Sequence, residues 1–302
     1  MISLQSVSKT YRSLVRRRVV RALEDLTLTI ERGEVFGIAG PNGAGKSTML
    51  SILLGYLNPT RGSATIDGRV PRQYVERVGV SYLTELISAP PLWTCEQALF
   101  RYAALSDLPS AAARERVEQA IELLGLEEHR KKQVRKLSKG TLQRLGIAQA
   151  SVGDADMVVF DEPTHGLDPL WTQRFRDIVA GMRRPSRTML IASHNLDELE
   201  RVSDRVAILN QGRLQRVVTA GAAHTGGVYR LVLAVPHAGL TAAFADAVPV
   251  EGRAAEFRVE GDIAGLNHGL GRLIEAGAVV TAFYPEQSRL ESEFRAAVED
   301  KP

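Results

Sequence analysis

Gly40, Pro41, Asn42, Gly43, Ala44, Gly45, Lys46 and Ser47 follow one another in the pattern G-x-x-x-x-G-K-[ST]. Each residue type answers a need of a bound anion. The glycines let backbone N–H groups curl around a phosphate without Cβ clashes. The helix expected directly afterwards adds free donors and the positive end of its dipole. In loops of this kind the lysine, here Lys46, reaches the β- and γ-phosphates, and the hydroxyl of Ser47, beside Thr48, ligates Mg²⁺. A second signal lies 115 residues after Lys46, where apolar Met157–Phe160 runs into Asp161 and Glu162. A buried parallel strand would deliver Asp161 to the C-terminal edge of a sheet, where ligands gather in open α/β folds. There Asp161 can hold Mg²⁺ beside Ser47, and Glu162 can accept a proton from attacking water. An apolar strand ending in acids is a weak signal alone; its conjunction with the loop makes it strong.

These groups need elements to hold them. After the turn residue Gly33 a strand is expected over Val35–Ala39, and helical spacing runs from the glycine-rich stretch to about Leu54, with Gly55 as C-cap. Strand-like segments also fall at Ile2–Val7, Leu26–Ile30 and Gly79–Leu83, and Asp67-Gly68 marks a turn. From Thr94 to about Ser151 the character changes. Ala98–Leu105, Ala111–Leu124 and Thr141–Ala150 carry helical spacing and few strand formers, which predicts a helical insert. Alternation then resumes with strand Met157–Phe160, a helix from Pro169, strand Met189–Ser193, a helix from Leu196 and strand Val206–Leu209. Such alternation argues for a largely parallel sheet covered on its faces. The small, glycine-rich stretch Thr219–Gly227 reads as a linker. Beyond it Tyr229, Leu231, Leu233 and Val235 alternate, as do Ala255, Phe257 and Val259, and helices are expected around Leu266–Ile274 and Leu290–Val298. They suggest a small α+β unit of ~75 residues.

The order of phosphate loop, helical insert, Leu137-Ser138-Lys139-Gly140-Thr141, Asp161-Glu162, Gly166-Leu167-Asp168, and His194 after a strand resembles an ABC (ATP-binding cassette) ATPase over about residues 1–217. The resemblance implies an α/β P-loop NTPase of the ABC type. It would have a largely parallel core sheet, an antiparallel β subdomain and a helical insert at about 86–152, within a cassette domain spanning 1–220. A small C-terminal α+β domain would span 225–302. In this family two cassettes close head to tail around two ATP molecules. Tyr11 is similar to the aromatic that stacks on adenine, although a core aromatic on a hairpin would read alike. Ser138 and Gly140 match the signature residues that touch the partner's γ-phosphate from a helix N-terminus. Asp168 matches the loop residue that crosses the dimer interface; Pro169 after it suits a first helical position, so Asp168 can also be a cap. His194 resembles the histidine that contacts the γ-phosphate and positions water and Glu162. Asn195, with Glu198 three residues on, places it at a strand-to-helix junction. Four positions depart from the family pattern. Lys139 and Thr141 replace glycine and glutamine, Glu85 stands where many members have a glutamine that ligates Mg²⁺, and His165 replaces a small polar residue.

Composition bounds the rest. The 302 residues suggest about two domains of ~150 residues each. Hydrophobic residues at 44% and charged residues at 24% exclude a disordered or collagen-like chain. The single cysteine, Cys95, excludes an intrachain disulfide and fits a reducing compartment. No apolar run approaches the ~18 residues of a spanning helix, and Met1–Val7 lacks the pattern of a secretory signal. Net charge is +3, with five arginines between Arg12 and Arg21. Without aromatic stacking partners that cluster reads as a solvated hairpin loop, so no nucleic-acid partner is expected. The implied partners are a second copy of the chain and a separate membrane permease. The chain would then be cytoplasmic and peripheral on the inner face of the cell membrane. The C-terminal stretch resembles the extension of cassettes serving bacterial type-2 exporters of drugs, antibiotics, lipids or polysaccharides. An importer cassette with a regulatory tail, or an ATPase acting on nucleic acid or ribosomes, is the alternative.

Overall fold

Apolar residues on one face and polar residues on the other make two half-buried strands at the start of the chain. Strands β1 (Ile2–Arg12) and β2 (Val19–Ile30) pair antiparallel, with Ile2 opposite Ile30 and Arg12 opposite Val19. The computed structural model describes residues 1–12, 19–85, 87, 89–106, 109–220, 226–286 and 289–299. Arg16, Arg17 and Arg18 of the arginine cluster lie outside the described residues, as does most of the expected linker. Strand β3 (Val35–Ala39) is buried throughout, as a central parallel strand must be. Helix α1 (Lys46–Leu53) follows the glycine-rich loop and ends at Gly55, whose φ of 73° closes the turn. Strand β4 (Arg61–Ile66) pairs antiparallel with β1 to complete a three-stranded sheet in the order β2-β1-β4.

Helix α2 (Pro71–Val78) and the short strand β5 (Ser81–Leu83) lead to the helical region. There α3 (Cys95–Ala104) begins at a reciprocal cap between Thr94 and Gln97, followed by α4 (Ser110–Leu123) and α5 (Lys139–Val152). The alternating part comprises β6 (Met157–Asp161), α6 (Pro169–Met182), β7 (Thr188–Ser193), α7 (Leu196–Val202), β8 (Arg205–Asn210) and β9 (Arg213–Thr219). The main sheet has six strands in the order β5-β6-β7-β3-β8-β9, parallel except for the β8–β9 hairpin. Four neighbouring parallel strands, β5, β6, β7 and β3, therefore end on one edge. Leu4, Leu26, Leu50, Leu53, Val159 and Leu190 belong to one buried cluster that joins the two sheets and α1.

The chain divides into two compact units, one built on Met1–Ala220 and the other on Gly221–Ala296. The second begins with β10 (Gly226–Leu233), α8 (Leu240–Ala243) and β11 (Val248–Val250). It continues through β12 (Arg253–Asp262), α9 (Ile263–Glu275), β13 (Val280–Pro285) and α10 (Arg289–Glu299). Its antiparallel sheet runs β11-β12-β10-β13, a β-α-β-β-α-β arrangement up to β13. Tyr229, Leu231, Phe257 and Val259 form its core with Leu266 and Leu273 of α9. Val235, expected in the first strand, is 66% exposed and lies past its end.

Candidate active site

The edge shared by β5, β6, β7 and β3 carries the groups singled out from sequence. At the end of β3 the glycine loop turns into α1 at Gly45, whose φ is 106°. A side chain there would lie 2.6 Å from the carbonyl oxygen of Ala22, and one on Gly40 would lie 2.6 Å from that of Leu209. Gly45 needs glycine for conformation and for space, and Gly40 needs it for space. No side chain caps α1, so its first N–H groups are left without a side-chain acceptor beside the loop. Lys46 is buried, and its Nζ donates to the Gly40 carbonyl at 2.6 Å, which places the ammonium inside the curl.

Asp161 ends β6 and is almost enclosed. Burial and then the charges of Glu162 and Glu85 push its carboxyl up to about 6, against the pull of Lys46. Glu162 has a φ of 50°, a left-handed conformation that a non-glycine residue keeps only when its surroundings impose it. The surroundings are specific. Its N–H donates to Ala192 O at 2.8 Å. Its carbonyl accepts from Gln143 Nε2 at 3.1 Å, and the same amide donates to Pro163 O at 2.8 Å. Glu162 Oε2 lies 2.7 Å from His194 Nδ1, at the end of β7.

A cavity of ≈ 540 Å³ is lined by Tyr11, the loop from Pro41 to Thr48, Glu85, Asp161, Glu162 and His194. Ser138, Gly140 and Asp168 do not line it. Ser138 caps α5 by accepting from Thr141 N at 3.2 Å, and Asp168 caps α6 by accepting from Trp171 N at 2.9 Å. Gly140 lies beside the Gly166 carbonyl. The two departures Lys139 and His165 meet, Nζ to Nε2 at 3.2 Å, and His165 itself lines the cavity.

Sequence reasoning passed over Gln143 and Arg21. Gln143 is a polar residue on the buried face of α5 among Leu145, Gly146 and Ile147, and that misplaced polarity was its signal. Arg21, which the sequence places in a cluster resembling a solvated loop, lines the cavity. Among the described residues no three His, Cys, Asp or Glu side chains gather as a metal centre. The donors present are the Ser47 hydroxyl and the carboxylates of Asp161 and Glu85. Such a sparse oxygen set fits Mg²⁺ held jointly with phosphate oxygens and fits no all-protein cage. The repulsion that raises Asp161 is the kind a divalent cation relieves.

A family model described as "ABC transporter" matches residues 23–165. An uncharacterized ABC transporter ATP-binding protein of Nostoc sp. is 38% identical over 220 residues, 71% of this chain and 65% of that protein. The ABC transporter ATP-binding protein NatA of Bacillus subtilis is 34% identical over 71% of this chain and 87% of that protein. Other relatives carry names of both directions. A Nod factor export ATP-binding protein I of Cupriavidus pinatubonensis is 33% identical over 70% of this chain and 64% of it. The methionine import ATP-binding protein MetN of Caulobacter vibrioides is 35% identical over 71% and 65%. The dimeric structure of MJ0796, a bacterial ABC transporter cassette, superposes with a TM-score of 0.65 at 25% identity. It covers 74% of this chain and 100% of that one. The chain belongs to the ABC transporter family. It spans a little under two thirds of the first curated relatives, 65% and 61% of their lengths. Among the described residues no helix is long and apolar enough to cross a membrane.

Proposed function

We propose that this chain binds and hydrolyses ATP with Mg²⁺ to drive a separate membrane permease, and that the transport is export. The carrying observation is the 2.7 Å contact between Glu162 and His194 at the mouth of a cavity lined by the phosphate loop and Asp161. The loop N–H groups and Lys46 bind the β- and γ-phosphates, and Tyr11 stacks on the base. Ser47, Asp161 and Glu85 hold Mg²⁺, which supplies charge neutralisation at the phosphates when bound. Glu162 accepts the proton of the attacking water, and His194 orients Glu162 and contacts the γ-phosphate. Transfer of the phosphoryl group to water needs only this positioning and electrostatics.

Ser138, Gly140 and Asp168 lie outside the cavity of their own chain, which suits a role across a dimer. Two copies close head to tail, and each presents the N-terminus of α5 to the other's nucleotide. Closure moves the helical inserts, and the segment 85–100 docks on the permease from the cytoplasmic face. The export direction is supported by the C-terminal likeness and by the Nod factor relative. The methionine import relative favours the second reading, an importer.

ATP turnover of the full chain and of Glu162→Gln tests hydrolysis: loss of ~10³-fold is expected, the scale of a removed general base with its support, and equal rates refute it. Vesicles holding the chain and its permease test direction. ATP added on the cassette side should move cargo away from that side, and accumulation towards it would establish the importer.

A further inference from the structure

Glu198 is a buried acid that this hydrolysis scheme does not use. It lies on α7, four residues after His194, and is 0% exposed. Its N–H donates to Asn195 Oδ1 at 3.2 Å, which fixes it in the first turn of the helix. Oε2 accepts a hydrogen bond from the Thr164 hydroxyl, while Oε1 is buried with no hydrogen-bond partner. Thr164 stands two residues after Glu162, in the loop between β6 and α6. One contact thus ties the loop leaving Glu162 to the helix leaving His194.

The charges facing Glu198 are Arg176 of α6, Asp197 beside it and Glu162. Arg176 is itself paired with Asp197 at 3.2 Å. Burial pushes the Glu198 carboxyl up to about 7, with Glu162 and Asp197 adding to the rise and Thr164 and Arg176 opposing it. A neutral carboxyl suits the setting, because an ionised one with a bare buried oxygen would carry a heavy desolvation cost. Glu162 in turn needs outside restraint for its left-handed backbone. Gln143 and Ala192 restrain its own peptide groups, Gln143 also holds the Pro163 carbonyl, and Thr164 is the first residue of the loop held through its side chain.

We propose that Glu198 is a positioning residue for ATP hydrolysis, a clamp that acts through Thr164 to hold the Glu162 loop in register with the turn bearing His194. The inference rests on the hydrolysis reading above. The clamp touches neither nucleotide nor water; it sets whether Glu162 and His194 meet.

The test measures ATP turnover, ATP affinity by equilibrium binding and thermal unfolding on the full chain and its variants. Thr164→Val keeps the shape of the side chain and removes the hydroxyl. Glu198→Ala removes the acceptor, and Glu198→Gln keeps an uncharged acceptor. Thr164→Val and Glu198→Ala should each lower kcat about tenfold, the scale of one lost positioning hydrogen bond, with ATP affinity unchanged. The double variant should be no slower than either single one, and Glu198→Gln should keep the kcat of the parent chain. Additive losses, a Thr164→Val kcat equal to the parent's, or a parallel loss of ATP affinity would each overturn the clamp. Thr164→Val decides the matter if Glu198→Ala does not fold. Glu162→Gln separates the two levels. Turnover retained there overturns the hydrolysis reading and the clamp with it; turnover abolished there with full kcat in Thr164→Val overturns the clamp alone.

Discussion

Asp161 shows how a single side chain reports the charge of its surroundings. Its carboxyl is raised to about 6 by burial, Glu162 and Glu85, so it holds a proton below that pH and is free for a cation above it. Proton and Mg²⁺ then compete for one oxygen donor. At limiting Mg²⁺, turnover should fall as pH drops through about 6, and saturating Mg²⁺ should move the fall to lower pH. Glu85→Gln removes one of the raising charges, so its profile should shift to lower pH as well. A profile through this range that ignores Mg²⁺ concentration would refute the assignment of Asp161 to the metal. At this scale the meeting of the loop with Asp161 and Glu162 around one cavity was legible in the sequence, because their residue types and spacing are unusual together. Gln143 announced itself only as a polar residue on an apolar face; its two acceptors are set by the fold.

Among elements, α5 and the β6–α6 loop form the decisive pair. The Gln143 side chain crosses from α5 to the carbonyls of Glu162 and Pro163, so a movement of the helical region is felt at the proposed base. Gln143→Leu keeps the volume and leaves two buried carbonyls without that donor. It should cost about 1–3 kcal/mol of stability, or a few degrees in Tm for a unit of this size. Turnover should fall further than ATP affinity, which kinetics alongside binding titration would reveal; equal falls in both would place Gln143 in general folding only. The helices of this region were foreseen from their spacing. Helix α2 and strand β4 were not, because α2 buries only Pro71 and Tyr74 and β4 only Ala64 and Ile66. So few buried positions set up no period to read. Strands β11 and β13 were passed over for the same reason: no residue in either is fully buried.

On the scale of the whole chain, two units each hold a core of their own, one around Leu50 and Val159 and one around Leu231 and Leu273. A chain ending at Ala220 should therefore unfold cooperatively and keep ATP affinity, measured by calorimetry and by nucleotide binding. A broad transition or lost binding would show that the first unit depends on the second.

Residue order alone determines the family and the phosphate-loop pattern. A phosphate loop tolerates so few residue types at fixed spacing that Gly40–Ser47 and Asp161-Glu162 declare it wherever the chain goes. Packing decided the rest. It set the left-handed turn at Glu162, its meeting with His194, and the restraints from Gln143 on one side and from Glu198 through Thr164 on the other. These contacts join positions 19 to 34 residues apart on different elements. No local periodicity encodes such a pairing; only the parallel order of β6 and β7 brings their ends together.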